Sequence, residues 1–334
     1  MEVLILINYL KSNKGGFLKV LGILFIILLI LLGLALGIGY AFLNYKLGNI
    51  NHLDIDENAI AINSGVADEL KGYRNIALFG LDTREDSFEN SRSDSIIIIS
   101  INNKTKDIRL TSIYRDTYVD IDGHSLDKIT HAYAYGGPEL ALSTINKNLD
   151  LNITEFVTVN FETVRTVVDT IGGISLKVTD AEAEQIGLPS GGTYTLDGNE
   201  ALDYARIRKI DSDYQRTERI RNVLSAVFDK IKTKSITDIM NYIDIILPHI
   251  STNMSTNEIL SLAPSAILYD ITDSTGWPYD IKGFSSDAWY GVPVTLESNV
   301  KELHETLFGT ENYTPSKTVQ EISDKIINKT GYSN

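Results

Sequence analysis

The chain has 334 residues, a formal net charge of −14 and no cysteine. The missing cysteine excludes a disulfide framework and thiolate chemistry. So acidic a chain also lacks the broad basic face of a general nucleic-acid binder, although a focused basic pocket remains compatible with it.

Residues 20–43 (VLGILFIILLILLGLALGIGYAFL) carry no charge. At about 1.5 Å per residue this helix extends roughly 36 Å, more than the ~30 Å hydrocarbon core of a bilayer. A cleaved signal peptide fits less well, because the stretch is too long and lacks a small-residue cleavage pattern. Lys11, Lys14 and Lys19 precede it, whereas Asp54, Asp56 and Glu57 follow. The positive-inside rule therefore leaves residues 1–19 in the cytoplasm and puts everything after Tyr45 outside the plasma membrane. Residues 44–71 read as an extracellular spacer, 72–313 as the folded domain, and 314–334 as a polar tail. The portion beyond the membrane segment, roughly 285 residues, is enough for one large domain or two small ones.

The apolar runs at 75–81 and 95–101 predict buried strands, and the turn NNKTKD makes the second a hairpin partner of 108–113. A helix over 139–149 follows Gly136-Gly137-Pro138, with proline near its first turn. The preceding HAYAYGG, residues 131–137, either lines a cleft or packs in the core. Next come a short strand at 156–160, a helix at 161–171 stopped by Gly172-Gly173, and a strand at 174–178. Residues 204–208 (YARIR) alternate as a strand would. From Tyr214 a helix carries Ile220, Val223, Leu224, Val227, Phe228 and Ile231 on one stripe. Residues 235–264 are helical in pattern. Strands alternating with helices indicate an α/β layered domain with a mixed sheet.

The chemistry is signalled by arginine. None of the eleven arginines lies beyond Arg221, and eight fall at Arg84, Arg92, Arg115, Arg206, Arg208, Arg216, Arg219 and Arg221. Lysine suffices for a solvated surface, whereas planar, permanently charged forks match carboxylates and phosphates. On an extended 204–208, Arg206 and Arg208 share a face and repel unless an anion lies between them. At about 100° per residue, Arg216 falls in line with the apolar stripe one turn earlier, Arg219 at its edge, and Arg221 on the opposite, solvated flank. The helix N-terminus also favours an anion. The loop 209–213 is short, so all four arginines can surround one anion. The alternatives are solvated arginines, or arginines paired with Asp211, Asp213 and Glu218. Asp82-Thr83-Arg84 leaves the first strand and Arg92-Ser93-Asp94 enters the second. If these strands are neighbours, Asp82 and Asp94 meet at one sheet edge, either as magnesium carboxylates beside a phosphate or as partners of adjacent arginines. Arg115-Asp116 presents a further guanidinium to the same edge. A GxxxxGK[ST] loop, a GxGxxG turn, an HExxH pair and a nucleophile elbow are all absent, and the five histidines are scattered.

In order along the chain, NIALFGLDTR, SRSDSIIIISIN, SIYRD, KITHAYAYGGPELAL, FVTVNFETV, VDTIGGISLKV, LDGNEALDYARIRK and DSDYQRTERIR resemble the LytR-CpsA-Psr family of bacterial envelope proteins, from Asn75 to Leu224. SNVKELHETLF is similar to the family's ending. The resemblance implies an α-β-α sandwich with a central mixed β-sheet behind one N-terminal transmembrane helix, and a long apolar groove for a polyprenyl chain. It implies a phosphotransferase of a Gram-positive plasma membrane. Such an enzyme moves a glycopolymer from a polyprenyl-diphosphate carrier to peptidoglycan, typically to the C6 hydroxyl of N-acetylmuramic acid. By motif, Asp82 and Asp94 are then the carboxylates near Mg²⁺ (or Mn²⁺), and Arg92, Arg115, Arg206, Arg208, Arg216 and Arg219 surround the diphosphate. Asp82, Arg84, Asp94, Arg206 and Arg208 carry the catalysis. Two positions depart from the pattern: Tyr114 stands where the family usually has proline, and Ile220 where it often has glutamine. The same site also suits a polyprenyl-diphosphate phosphatase or pyrophosphatase, or a polyprenyl-phosphate-binding regulator without turnover. A transcriptional role conflicts with the expected topology.

Overall fold

The computed structural model describes residues 51–81, 91–255, 258–259, 262 and 266–333. The expected membrane span at 20–43 and the segment bearing Asp82 and Arg84 lie outside the described residues. Among the described residues no helix is long and apolar enough to cross a membrane.

The strands are β1 (Asn51–His52), β2 (Tyr73–Leu81), β3 (Ser93–Asn102), β4 (Asp107–Ile113), β5 (Tyr118–Ile121), β6 (Ser125–Lys128), β7 (Glu155–Asn160), β8 (Ile174–Val178), β9 (Gly192–Leu196), β10 (Ser251–Thr252), β11 (Asp270–Trp277), β12 (Ile281–Ser285) and β13 (Trp289–Pro293). The helices are α1 (Val66–Glu69), α2 (Ile129–Leu149), α3 (Phe161–Thr170), α4 (Asp180–Gln185), α5 (Gly198–Ala205), α6 (Asp213–Lys232), α7 (Ile236–Ile246), α8 (Leu296–Phe308) and α9 (Lys317–Thr330). A seven-stranded mixed sheet runs in the order β1-β10-β7-β2-β3-β4-β11. Its centre is the antiparallel trio β2, β3 and β4, with β7 parallel to β2 and β11 parallel to β4.

Both faces of this trio are covered, so its strands are near-continuous apolar runs. Side chains still alternate between the faces. Phe79, Leu81, Ile96 and Ile98 pack beneath α2, α8 and α9 in one cluster. Ile76, Ile97, Ile101 and Leu110 meet Ile220, Leu224 and Phe228 of α6 in another. A third cluster joins α3, α5 and α6 to the separate hairpin β8–β9. The predicted strand 174–178 therefore forms, but outside the main sheet.

Three local expectations are corrected. Residues 204–208 are the end of a helix and not a strand. Asp197 and Glu200 form a capping box that starts α5, and Arg206 is its C-cap residue. An eight-residue helix is barely two turns, too short to show a 3.6-residue period in sequence. The alternation is nevertheless kept, with Ala205 and Ile207 buried and Arg206 and Arg208 exposed. The helix expected at 139–149 begins ten residues earlier, at Ile129, and is kinked where Gly137 adopts φ 63°. Of the two tyrosines in that earlier stretch, Tyr133 joins the core and Tyr135 stays exposed. The pattern at 235–264 is divided, since α7 ends at Ile246 and β10 follows.

The segments read from sequence as spacer and tail both supply core. Ile60, Val66 and Leu70 are buried in the cluster under α2, as are Val319, Ile322 and Ile326 of α9. Asp150, at the end of α2, clasps the two together. It is fully buried, and its carboxylate accepts from Asn63 Nδ2 at 2.6 Å, Ser316 N at 2.6 Å and Tyr313 Oη at 3.1 Å. Burial, and then the nearby carboxylate, push the Tyr313 hydroxyl pKa upward, so the phenol stays a donor. Asp150→Ala strands all three donors and should lower the unfolding free energy by about 2–4 kcal/mol. Urea denaturation checks this, and a loss under about 0.5 kcal/mol, the range of a neutral surface substitution, would disprove the clasp.

Candidate functional site

The site is built where α6 crosses the sheet. Ser212 caps that helix, its Oγ accepting from Tyr214 N at 3.2 Å, and Gln215 completes the capping box. The capped first turn carries Asp213 and then Arg216 into the interior. Between α3, α5, α6 and the sheet lies a cavity of about 210 Å³. Its floor includes Leu78 and Ile97 together with Gly80 and Ser95, which pair in register between β2 and β3. Those two small residues leave open space that larger ones would fill. Val164, Val167, Leu202, Val223 and Leu224 make the walls apolar. Arg206, Arg208, Arg216 and Asp94 also line it, three guanidiniums against one carboxylate among the described residues. All four come from the side where α6 begins and β3 enters the sheet.

Arg216 is only 4 % exposed. Its Nη2 donates to the Asp94 carbonyl at 3.3 Å, and its Nε lies 2.9 Å from Asp213 Oδ1 without the alignment of a hydrogen bond. Burial above all pulls its pKa down; Asp213 and Asp94 act to raise it and Arg208 and Arg115 to lower it. Arg208 is half exposed, with Nη2 3.9 Å from Asp94 Oδ2. Arg206 lies over the Phe161 ring at 4.4 Å, which holds the guanidinium at the cavity wall. Arg115 does not line the cavity but reaches it through Asp94, donating from Nη1 to Oδ1 at 3.1 Å. Its Nε stands 3.6 Å from both Asp116 and Asp213. Burial opposes its charge, yet Asp213, Asp94 and Asp116 outweigh that and raise its pKa. Thr130 pins this corner, accepting nothing from it but donating from N to the Arg115 carbonyl and from Oγ1 to the Ser93 carbonyl.

Not every predicted arginine joins the cluster. Arg219 is buried against Glu182 and Asp211 and donates to the Ile207 carbonyl at 3.1 Å, so it braces the loop after α5 and does not line the cavity. The alternative of pairing with neighbouring aspartates is realised here. Arg221, expected to be solvated, is 6 % exposed and donates to Ser274 Oγ at 2.9 Å, since β11 closes over that flank of α6. Arg92 is exposed and lies near enough to Tyr135 for its charge to act on that hydroxyl. Asp82 and Arg84 lie outside the described residues. Of the two departures, Ile220 is an apolar wall of the cavity, and the Tyr114 ring packs on Tyr214 at 4.4 Å. Asp213 and Phe161 were not singled out as site residues from sequence. The capping signal Ser212-x-x-Gln215 points to the first, and nothing local points to the second. Among the described residues no group of three metal-binding side chains occurs. Among the described residues Asp94 is the carboxylate that lines the cavity.

One buried guanidinium, Arg216, and two exposed ones, Arg206 and Arg208, thus stand at one end of an apolar cavity, a form complementary to an anionic head group with an apolar tail. The family model described as the LytR_cpsA_psr family matches residues 44–274, and the chain belongs to that family. It is 36 % identical over 225 residues to TagT of Bacillus subtilis (strain 168), named a polyisoprenyl-teichoic acid–peptidoglycan teichoic acid transferase, covering 62 % of this chain and 69 % of TagT. It is 37 % identical over 189 residues to the similarly named TagU of Bacillus licheniformis, covering 55 % of this chain and 61 % of TagU. A solved structure described as TagT bound to LI-WTA matches with a TM-score of 0.57 at 28 % identity, over 84 % of this chain and 94 % of that one.

The cluster should bind a free diphosphate. Inorganic pyrophosphate is expected to raise the melting temperature of the wild-type chain, less so at high salt. Arg208→Ala removes an exposed fork at little structural cost and should weaken that binding about tenfold or more. Equal thermal shifts in the two proteins would remove Arg208 from the anion site.

Proposed function

We propose that this chain is a phosphotransferase that moves a glycopolymer from a polyprenyl-diphosphate carrier to peptidoglycan, as the printed names of its relatives describe for teichoic acid. The observation that carries this reading is the apolar cavity lined at one end by Arg206, Arg208 and Arg216. A polyprenyl diphosphate has the matching form, an aliphatic tail on a doubly anionic head. Residues 20–43, as a signal anchor, would hold the domain outside the cell beside a donor that is itself in the membrane. The acceptor we propose is the C6 hydroxyl of N-acetylmuramic acid.

In the reaction the acceptor oxygen attacks the phosphorus that carries the glycopolymer. A new P–O bond forms, the bridging P–O bond breaks, and polyprenyl monophosphate leaves with the bridging oxygen. Such transfers need positioning and charge neutralisation more than covalent help from the protein. Arg206, Arg208 and Arg216 hold the diphosphate and take up the charge growing on the leaving group. Arg216 suits this task because it is a buried charge that lines the cavity, where an anion would strengthen its pairing. Arg115 keeps Asp94 turned toward the cavity. Asp94, with Asp82 as the second candidate, orients the attacking hydroxyl or accepts its proton. A Mg²⁺ or Mn²⁺ ion held by these aspartates together with phosphate oxygens would supply further charge neutralisation.

The test is to give the full-length chain a labelled polyprenyl-diphosphate saccharide, peptidoglycan and Mg²⁺, and to follow the label. Label on peptidoglycan with release of polyprenyl monophosphate is expected, and free saccharide phosphate would indicate hydrolysis instead. Arg206→Ala should reduce transfer at least about 100-fold, as removal of a transition-state charge donor does. Near wild-type turnover in that variant would sink the assignment of Arg206.

A further inference from the structure

On the far side of Arg115 from the apolar cavity lies a second one, about 220 Å³, which the diphosphate does not account for. Its lining includes Trp289, Tyr114 and Tyr214 together with Asp116, Asp213 and Ser212. Their linings touch where Arg216 of the first meets Asp213 of the second. Asp213 lies 2.9 Å from Arg216 with one oxygen and 3.6 Å from Arg115 with the other, and it faces the second cavity. A ligand there sits one guanidinium away from the phosphate.

Trp289 is the unusual member. It is 47 % exposed, whereas the other tryptophan, Trp277, is fully buried with its indole N–H donated to the Asn299 carbonyl. Trp289 is nevertheless seated. Gly283 and Gly291 pair in register between β12 and β13. A Cβ at Gly283 would stand 2.8 Å from the indole Nε1, and one at Gly291 would stand 3.5 Å from Cη2. Opposite ends of the ring thus rest on two bare backbones, so the indole lies along the ribbon with its other face open. Gly291 N also donates to the Asp116 carbonyl at 2.9 Å, which ties this platform to the loop carrying Arg115.

An open indole face, a tyrosine pair and partly exposed carboxylates form a combined surface. Asp116 and Asp213 contact cations yet keep lone pairs for further donors. A pyranose ring has the complementary character, with an apolar C–H face for the rings and a rim of hydroxyl donors for the carboxylates. An anion is disfavoured by Asp116 and Asp213, and a lipid by their desolvation. We infer that this cavity is a saccharide subsite, with Trp289 as its stacking platform and Asp116 and Asp213 as its hydroxyl acceptors. This rests on the transfer reading above, and the sugar is either the acceptor glycan or the first residue of the donor glycopolymer.

The two tryptophans make the test direct. In the full-length chain, acrylamide quenches the exposed Trp289 and not the buried Trp277. A peptide-free peptidoglycan glycan oligomer and a lipid-free glycosyl diphosphate are titrated separately, with inorganic pyrophosphate as control. Saturable protection by the glycan oligomer assigns the subsite to the acceptor. Protection by the glycosyl diphosphate but not by pyrophosphate assigns it to the donor sugar. Trp289→Ala should weaken binding of the protecting probe, measured by equilibrium dialysis, about tenfold, and Trp289→Tyr should recover much of it. The blue emission of Trp277 reports that each variant is folded. If neither probe protects Trp289, or if Trp289→Ala binds as wild type does, the subsite is wrong. None of these readouts requires turnover. A chain that transfers glycopolymer but fails them keeps its function and loses the subsite, while one that passes them without transfer keeps the subsite and loses the proposed reaction.

Discussion

The buried guanidinium of Arg216 is the constraint on which the rest of the site depends. A charge that is 4 % exposed is costly unless it is paired and hydrogen-bonded. Here two carboxylates and one carbonyl face it together with two like-charged neighbours, and burial weighs most against its charge. The structure tolerates that imbalance because α6 is anchored elsewhere, by its capping box, by its apolar stripe against the sheet, and by Arg219 and Arg221 on its flanks. These contacts hold the helix, and with it they hold Arg216 at the wall of the apolar cavity. Asp213 and Asp94 link this corner to Arg115 and Arg208, so three arginines share one network of ion pairs.

The apolar cavity follows from the same helix. α6 spans two clusters, one with the sheet and one with α3, α5 and the β8–β9 hairpin. Where these diverge, Gly80 and Ser95 leave the sheet surface low, and the space beneath α6 stays open. An apolar space beside a cationic one is unfavourable to water at one end and to hydrocarbon at the other. Both ends together suit an amphiphile, which connects the packing of the core to the kind of molecule the protein handles.

Arginine serves two purposes in this chain, and spacing alone does not separate them. Arg74 forms a two-pronged pair with Glu155 where β2 and β7 begin, and Arg109 donates to the Thr306 and Leu307 carbonyls at the end of α8. Arg219 belongs with these, although its sequence setting resembles that of Arg216. One helical turn separates the two residues. Arg216 meets Asp213 of its own helix, whereas Arg219 meets Glu182 of α4 and Asp211 of the loop.

The central sheet, its β3–β4 hairpin, the helix at 161–171 and the amphipathic α6 were legible because each is announced by short-range periodicity or by a turn. Arg216 was legible for the same reason, as a charge in line with an apolar stripe. The ordered motifs added the family. The helical nature of 198–205 was hidden by its shortness, and the core roles of residues 60–70 and 319–326 by polar surroundings. Three features were decided by tertiary structure alone: the burial of Arg221 under β11, the contact of Arg219 with Glu182, and the seating of Trp289 on two glycines. Local sequence determines which face of an element is apolar and where the element starts and stops. Some partners are local, as Asp213 is for Arg216, but others, such as Glu182 for Arg219 and Ser274 for Arg221, lie tens of positions away and only long-range packing brings them together.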